Sequence, residues 1–85
     1  MEEIFEKYSN SVIKNLDKDN FKKILMFLEN ENCDYLEDLI EDYLDLFTID
    51  YEIFVTRYNK LNEEYNNRFL ELASEDMNLL EEFFY

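Results

Sequence analysis

Apolar residues recur at three- and four-residue spacing along four stretches of the chain, and each stretch predicts an amphipathic helix. The first covers about residues 2–15, where Phe5, Tyr8, Val12 and Leu16 align and Ile4 and Ile13 flank them. "DKDN" (residues 17–20) then supplies a turn whose Asp and Asn oxygens can cap the next helix. That helix spans about residues 20–30, with Phe21, Ile24, Leu25 and Leu28 on one face, and "NENCD" (residues 30–34) ends it. The third, about residues 34–47, has the cleanest pattern. At about 100° per residue, Leu36, Leu39, Ile40, Tyr43, Leu44, Leu46 and Phe47 fill one arc. Asp34, Glu37, Asp38, Glu41, Asp42 and Asp45 fill the other.

"TID" (residues 48–50) closes the third stretch and offers Thr48 or Asp50 as a cap for a fourth helix, striped by Tyr51, Phe54, Tyr58, Leu61 and Tyr65. Continued through Phe69 and Leu72, that stripe meets Asp76, an unsuitable core residue, while a second stripe of Leu70, Ala73, Met77, Leu80 and Phe84 takes over. A break is therefore expected near Asn66 and Asn67, or at Ser74, where "SEDM" reads as an N-cap followed by two acids.

Composition strengthens this reading. Gly and Pro are both absent. Tight hairpins and helix ends lean on Gly, so a chain without it, rich in Leu, Glu, Lys and Phe, is all-α with Asn and Asp as breakers. The expected fold is a compact bundle of four to five short helices with no sheet, a single helical domain over residues 1–85. A chain of this size buries only about 60–65% of its unfolded surface. Cys33 is its one cysteine, so apolar packing, much of it from eight Phe and seven Tyr, must supply the stability. At 47% hydrophobic residues the chain is a folding one despite its net charge of −14. No apolar run is long enough to span a bilayer and no basic, apolar leader opens the chain. Heavy use of Asn, Lys, Ile, Tyr and Phe matches AT-rich coding, as in low-GC bacteria and their phages. The expected location is the bacterial cytoplasm.

Candidate chemistry is sparse. Without His there is no Ser–His or Cys–His nucleophile and no imidazole acid or base. No Gly-rich loop can cradle phosphate. Cys33 lies beside Asp34 and near Glu31, whose charges disfavour a thiolate. No Cys/His set suits zinc, and "DKDN" lacks the Gly and the terminal Glu of a calcium loop, which leaves a capped turn. The expectation is a protein without catalytic residues, metal or cofactor. Tyr51, Tyr58 and Tyr65 recur at seven-residue spacing and suit a core edge, because a chain this acidic repels the phosphates of a nucleic acid. The C-terminal "FFY" suits closure of the bundle, with a docking patch as the other reading.

Charge is segregated. Residues 1–23 hold five acids and five bases, whereas residues 24–56 hold ten acids and no base. Solubility would be served equally by interspersed signs. On a continuous helix, the six carboxylates between Asp34 and Asp45 would cover about 18 Å, roughly one per 3 Å, close to the spacing of about 3.4 Å per phosphate on one DNA strand. A helix so charged can occupy a basic groove built for nucleic acid. The candidate partner-binding residues are Asp34, Glu37, Asp38, Glu41, Asp42, Asp45, Asp50 and Glu52.

Across its whole length, in size, acidity, helical content and composition, the chain resembles the small inhibitors that phages and mobile elements deploy against host defence. These include anti-CRISPR and anti-restriction proteins, several of which mimic DNA. The resemblance implies a non-catalytic inhibitor that binds the basic surface of a nuclease or another nucleic-acid-binding effector, with no direct nucleic-acid or membrane binding of its own. Two alternatives use the same features. An immunity protein or antitoxin would turn the acidic face on a basic toxin nuclease, and a helical assembly module, such as a homodimer, would use the aromatic surplus.

Overall fold

The computed structural model describes residues 2–9 and 16–84, and every regular element among them is helical. Contacts within the chain group into two compact units, residues 1–51 and 52–85.

In the first unit, α1 (Glu2–Ser9) buries Tyr8 and half-buries Ile4 and Phe5. The expected continuation of this helix through Val12 and Ile13 lies outside the described residues. The "DKDN" turn caps α2 (Lys18–Asn30): the Asp17 carboxylate accepts the Asn20 N–H at 3.1 Å and so satisfies one of the orphan donors of the first turn. The expected face of α2 is the buried one, with Phe21, Ile24, Leu25 and Leu28 at 2% exposure or less. At its end Asn32 takes a left-handed φ of 66°, the Cys33 N–H reaches back to Leu28 O at 3.0 Å, and the Asn32 N–H to Glu29 O at 3.0 Å. This pair of bonds is a Schellman motif, with Asn in the place usually held by Gly.

The third helix differs from its sequence pattern. It is α3 (Leu36–Asp42), after which Tyr43 leaves helical geometry (φ −134°, ψ 45°) and a 3₁₀ turn follows over Leu44–Thr48. A continuous α-helix would set Asp45 one turn beyond Glu41 and Asp42, adding like-charge neighbours at a helix end whose dipole already disfavours anions. Breaking at Tyr43 instead puts Asp45 in the first turn of a new helical segment. It also lets Phe47 stack on Phe21, with ring centroids 4.6 Å apart. The inner face keeps its expected members: Leu36, Leu39, Ile40, Leu46 and Phe47 are buried, and Tyr43 and Leu44 half-buried.

One side chain fixes this corner. Asn20 donates both amide hydrogens, to Phe47 O (3.2 Å) and Ile49 O (2.8 Å), and its Oδ1 accepts the Tyr51 N–H at 2.8 Å. Three backbone groups of a segment that turns without regular pairing are thereby satisfied by one amide.

The second unit holds most of α4 (Tyr51–Glu64), which buries Phe54, Tyr58 and Leu61 as expected. Its end repeats the device of α2. Asn66 and Asn67 have φ of 57° and 63°, Asn67 N–H bonds Asn62 O at 2.6 Å, and Asn66 N–H bonds Glu63 O. The break expected at these asparagines is there. Asn62 also accepts the Phe69 N–H through Oδ1, which ties the end of α4 to the start of α5 (Phe69–Glu75). Ser74 is not the next cap, because its hydroxyl donates back to Glu71 O; Asp76 does the work, accepting the Asn78 N–H at 3.2 Å.

A 3₁₀ segment, Met77–Phe84, follows. At three residues per turn, Leu80 and Phe83 share a face, whereas the α-helical stripe would pair Leu80 with Phe84. Phe83 is accordingly buried, stacked on Phe54 at 4.7 Å and edge-on to Phe69 at 5.6 Å, while Phe84 stays 42% exposed. "FFY" thus closes this unit through Phe83; Tyr85 lies outside the described residues. The Arg57 guanidinium holds Phe83 O at 2.6 Å, and the Tyr65 hydroxyl donates to Glu82 at 2.6 Å.

Candidate acidic interface

Cys33, the residue that closes the α2 Schellman motif, is buried, and Asp34 follows it on the surface. From there the chain forms α3 because Leu36, Leu39 and Ile40 must reach the interior, which leaves Glu37, Asp38, Glu41 and Asp42 outside. Asp45 lies exposed on the 3₁₀ turn, and Asp50 is exposed between that turn and α4. These seven belong to the first unit. Glu52, the eighth, is exposed in the first turn of α4 and belongs to the second.

The break at Tyr43 corrects the geometry expected from sequence. The six carboxylates of residues 34–45 do not ride one 18 Å helix. α3 extends about 10 Å for its seven residues and carries four of them. The density on that helix matches the expectation, while its length is about half. Asp34 and Asp45 sit on non-α backbone at either end.

Among the six carboxylates from Asp34 to Asp45, one pairs with a described cation. Lys7, from α1, reaches Glu37 at 2.9 Å, and both side chains remain about half exposed or more. The Glu37 carboxylate, by hydrogen bond and charge, holds the Lys7 ammonium above its ordinary pKa. Thirty residues separate the two, so no local pattern pointed to the pair. Such a solvated pair contributes little to stability. No described Lys or Arg pairs with Asp38, Glu41, Asp42 or Asp45.

Chemistry elsewhere is muted. Burial pushes the Cys33 thiol above its usual pKa, and the Asp34 charge adds to that, against a backbone hydrogen bond at Tyr35 that acts the other way. The direction agrees with the sequence reading; the leading cause is burial rather than like charge. The hydrogen bond to Glu82 raises the Tyr65 phenol in the same sense. The tyrosine series sits at the core and its edge: half-buried Tyr51 meets Phe27 edge-on, and buried Tyr58 and half-buried Tyr65 both pack on Phe69. Among the described residues no three Cys, Asp or Glu side chains group closely enough to hold a metal ion. No helix among them is long and apolar enough to cross a membrane.

No protein family, curated protein or solved structure matches the chain.

Proposed function

We propose that this chain is a non-catalytic inhibitor of a nucleic-acid-processing enzyme, of the anti-CRISPR or anti-restriction kind, acting in the bacterial cytoplasm. The acidic surface of its first unit occupies the basic groove through which that enzyme holds nucleic acid. The observation that carries this reading is the exposure of the six carboxylates from Asp34 to Asp45, against one described ion pair among them. Four of them crowd onto the seven residues of α3, where they repel one another and two oppose the helix dipole. A fold tolerates such repulsion at small cost, and a cationic partner turns it into attraction while steering the encounter.

The test begins with capture of proteins on the immobilised chain from a bacterial lysate, eluted with salt and identified. The captured enzyme is then assayed for binding to its own DNA or RNA substrate with and without the chain. The proposal requires mutually exclusive binding, with each competitor raising the apparent Kd of the other. Simultaneous binding of chain and nucleic acid to the same enzyme would refute it.

A further inference from the structure

Three large apolar side chains are exposed among the described residues, and two of them, Ile53 (48%) and Phe84 (42%), belong to the second unit. Both lie beside one guanidinium. Ile53 precedes Arg57 by four residues on α4 and is therefore its neighbour on the helix surface. Arg57 holds Phe83 O at 2.6 Å, which brings the next residue, Phe84, to the same place. The 3₁₀ winding of Met77–Phe84 turns Leu80 and Phe83 inward, and at three residues per turn it sets Glu81 on the outward face with Phe84. Arg57 uses one of its five N–H donors on Phe83 O, and no described carboxylate pairs with it. Glu81 pairs with no described cation. The patch thus carries two apolar side chains, a guanidinium with donors to offer and a carboxylate with acceptors to offer.

Exposed apolar side chains scattered singly are ordinary, but an aromatic and an aliphatic one beside an available arginine have the composition of an interface centre. The charges select the occupant. A nucleic acid could offer phosphates to Arg57, but a chain of −14 repels it. A surface that holds an apolar middle, a cation and an anion complements itself across a two-fold axis, where residue i of one copy meets residue j of the other and the reverse. We propose that this patch joins two copies of the chain in an isologous dimer. Arg57 of each copy meets Glu81 of the other, and Ile53 and Phe84 cover their counterparts. The contact uses none of the acids of α3 and does not rest on the function proposed above.

A patch of this size makes a weak dimer, so the whole chain is followed by sedimentation velocity up to about 1 mM. The expected result is a closed monomer–dimer equilibrium. Two chains of −14 repel each other and salt screens that repulsion, so association should strengthen between about 50 and 500 mM salt. Binding to a basic groove has the opposite salt dependence, which keeps the two contacts distinguishable. Ile53→Gln and Phe84→Gln should each weaken the dimer about tenfold or more. Glu81→Lys, which sets a like charge against Arg57, should do the same. Glu75→Lys makes the same change of charge at an exposed position on α5 and should not weaken association. Met26→Gln, at the exposed apolar residue of the first unit, should leave it unchanged. A monomer at about 1 mM, open-ended association, or a dimer that weakens with salt would each overturn the proposal. Equal loss in Glu81→Lys and Glu75→Lys would overturn it as well.

Discussion

Replacing Asn20 by Ala removes three hydrogen bonds at once, to Phe47 O, Ile49 O and from the Tyr51 N–H. Asn20 is half-buried, so water can reach part of what is left. At a net value of about 0.5–1.5 kcal/mol per bond, the loss is about 2–4 kcal/mol. The helix preference of Ala over Asn returns about half a kcal/mol. Asn59→Ala, at an exposed position inside α4, measures that return separately. For a domain of this length each kcal/mol moves Tm by about 4–8 °C, so the net loss of about 1.5–3.5 kcal/mol should lower Tm by about 6–28 °C. Asn20→Asp is the sharper variant, since it keeps the shape and the acceptor for Tyr51 but turns an oxygen towards the two carbonyls the amide hydrogens served. It should cost at least as much as Ala at neutral pH. Thermal and urea unfolding followed by far-UV circular dichroism give both values. If Asn20→Ala falls within about 0.5 kcal/mol of the parent, the corner is held by the Phe21–Phe47 stack alone and the clamp argument fails.

Other expectations follow from single features. Asn66 occupies left-handed backbone, so Asn66→Ala should destabilise by about 1 kcal/mol and Asn66→Gly should match or exceed the parent in Tm; the reverse order would contradict the Schellman assignment. Burial holds the Cys33 thiol protonated, so iodoacetamide at pH 8 should label the native protein far more slowly than the protein in urea, and equal rates would refute the shielding. The sign of that shift sets a pH dependence. Because the folded-state pKa is the higher one, the thiol's contribution is intact below the pKa of the unfolded thiol. It is lost as pH rises through the folded value, so Cys33→Ser should flatten the alkaline fall in stability. The isolated chain, at −14, should give no mobility shift with DNA or RNA at physiological salt, and a shift would sink the mimicry proposal.

The all-α fold was legible because the absence of Gly and Pro removed the alternatives and the stripes were strongly periodic. The faces of α2 and α4 and the asparagine break at residues 66–67 could be read directly. What could not be read were the places where 3.6 and 3.0 residues per turn give nearly the same pattern over a few positions. Leu44–Thr48 and Met77–Phe84 both satisfy an α-helical wheel, and packing of Phe47 on Phe21 and of Phe83 on Phe54 decides for the tighter winding. Ser74 looked like a cap by residue type, but its hydroxyl bonds back to Glu71 O. At the acidic surface, the outward position of each carboxylate was legible from the wheel. Its break at Tyr43, the pairing of Lys7 with Glu37 and the clamp by Asn20 were not, because each depends on residues far apart in the chain.

The central claim, that the acids of α3 exist for a partner rather than for the fold, is tested most directly by neutralising three of them together: Asp38→Asn, Glu41→Gln and Asp42→Asn. All three are exposed, and no described cation pairs with them. Glu41 and Asp42 also lie in the last turn of α3, where the dipole opposes them, so Tm should hold or rise. Affinity for the captured enzyme is measured in parallel by calorimetry over a range of salt. Each charge that meets a desolvated partner should cost about 2–5 kcal/mol of binding, and much less at a solvated rim. The account predicts a stable variant whose Kd rises by orders of magnitude and whose remaining binding depends less on salt. A well-folded triple variant that binds the enzyme as tightly as the parent would contradict it.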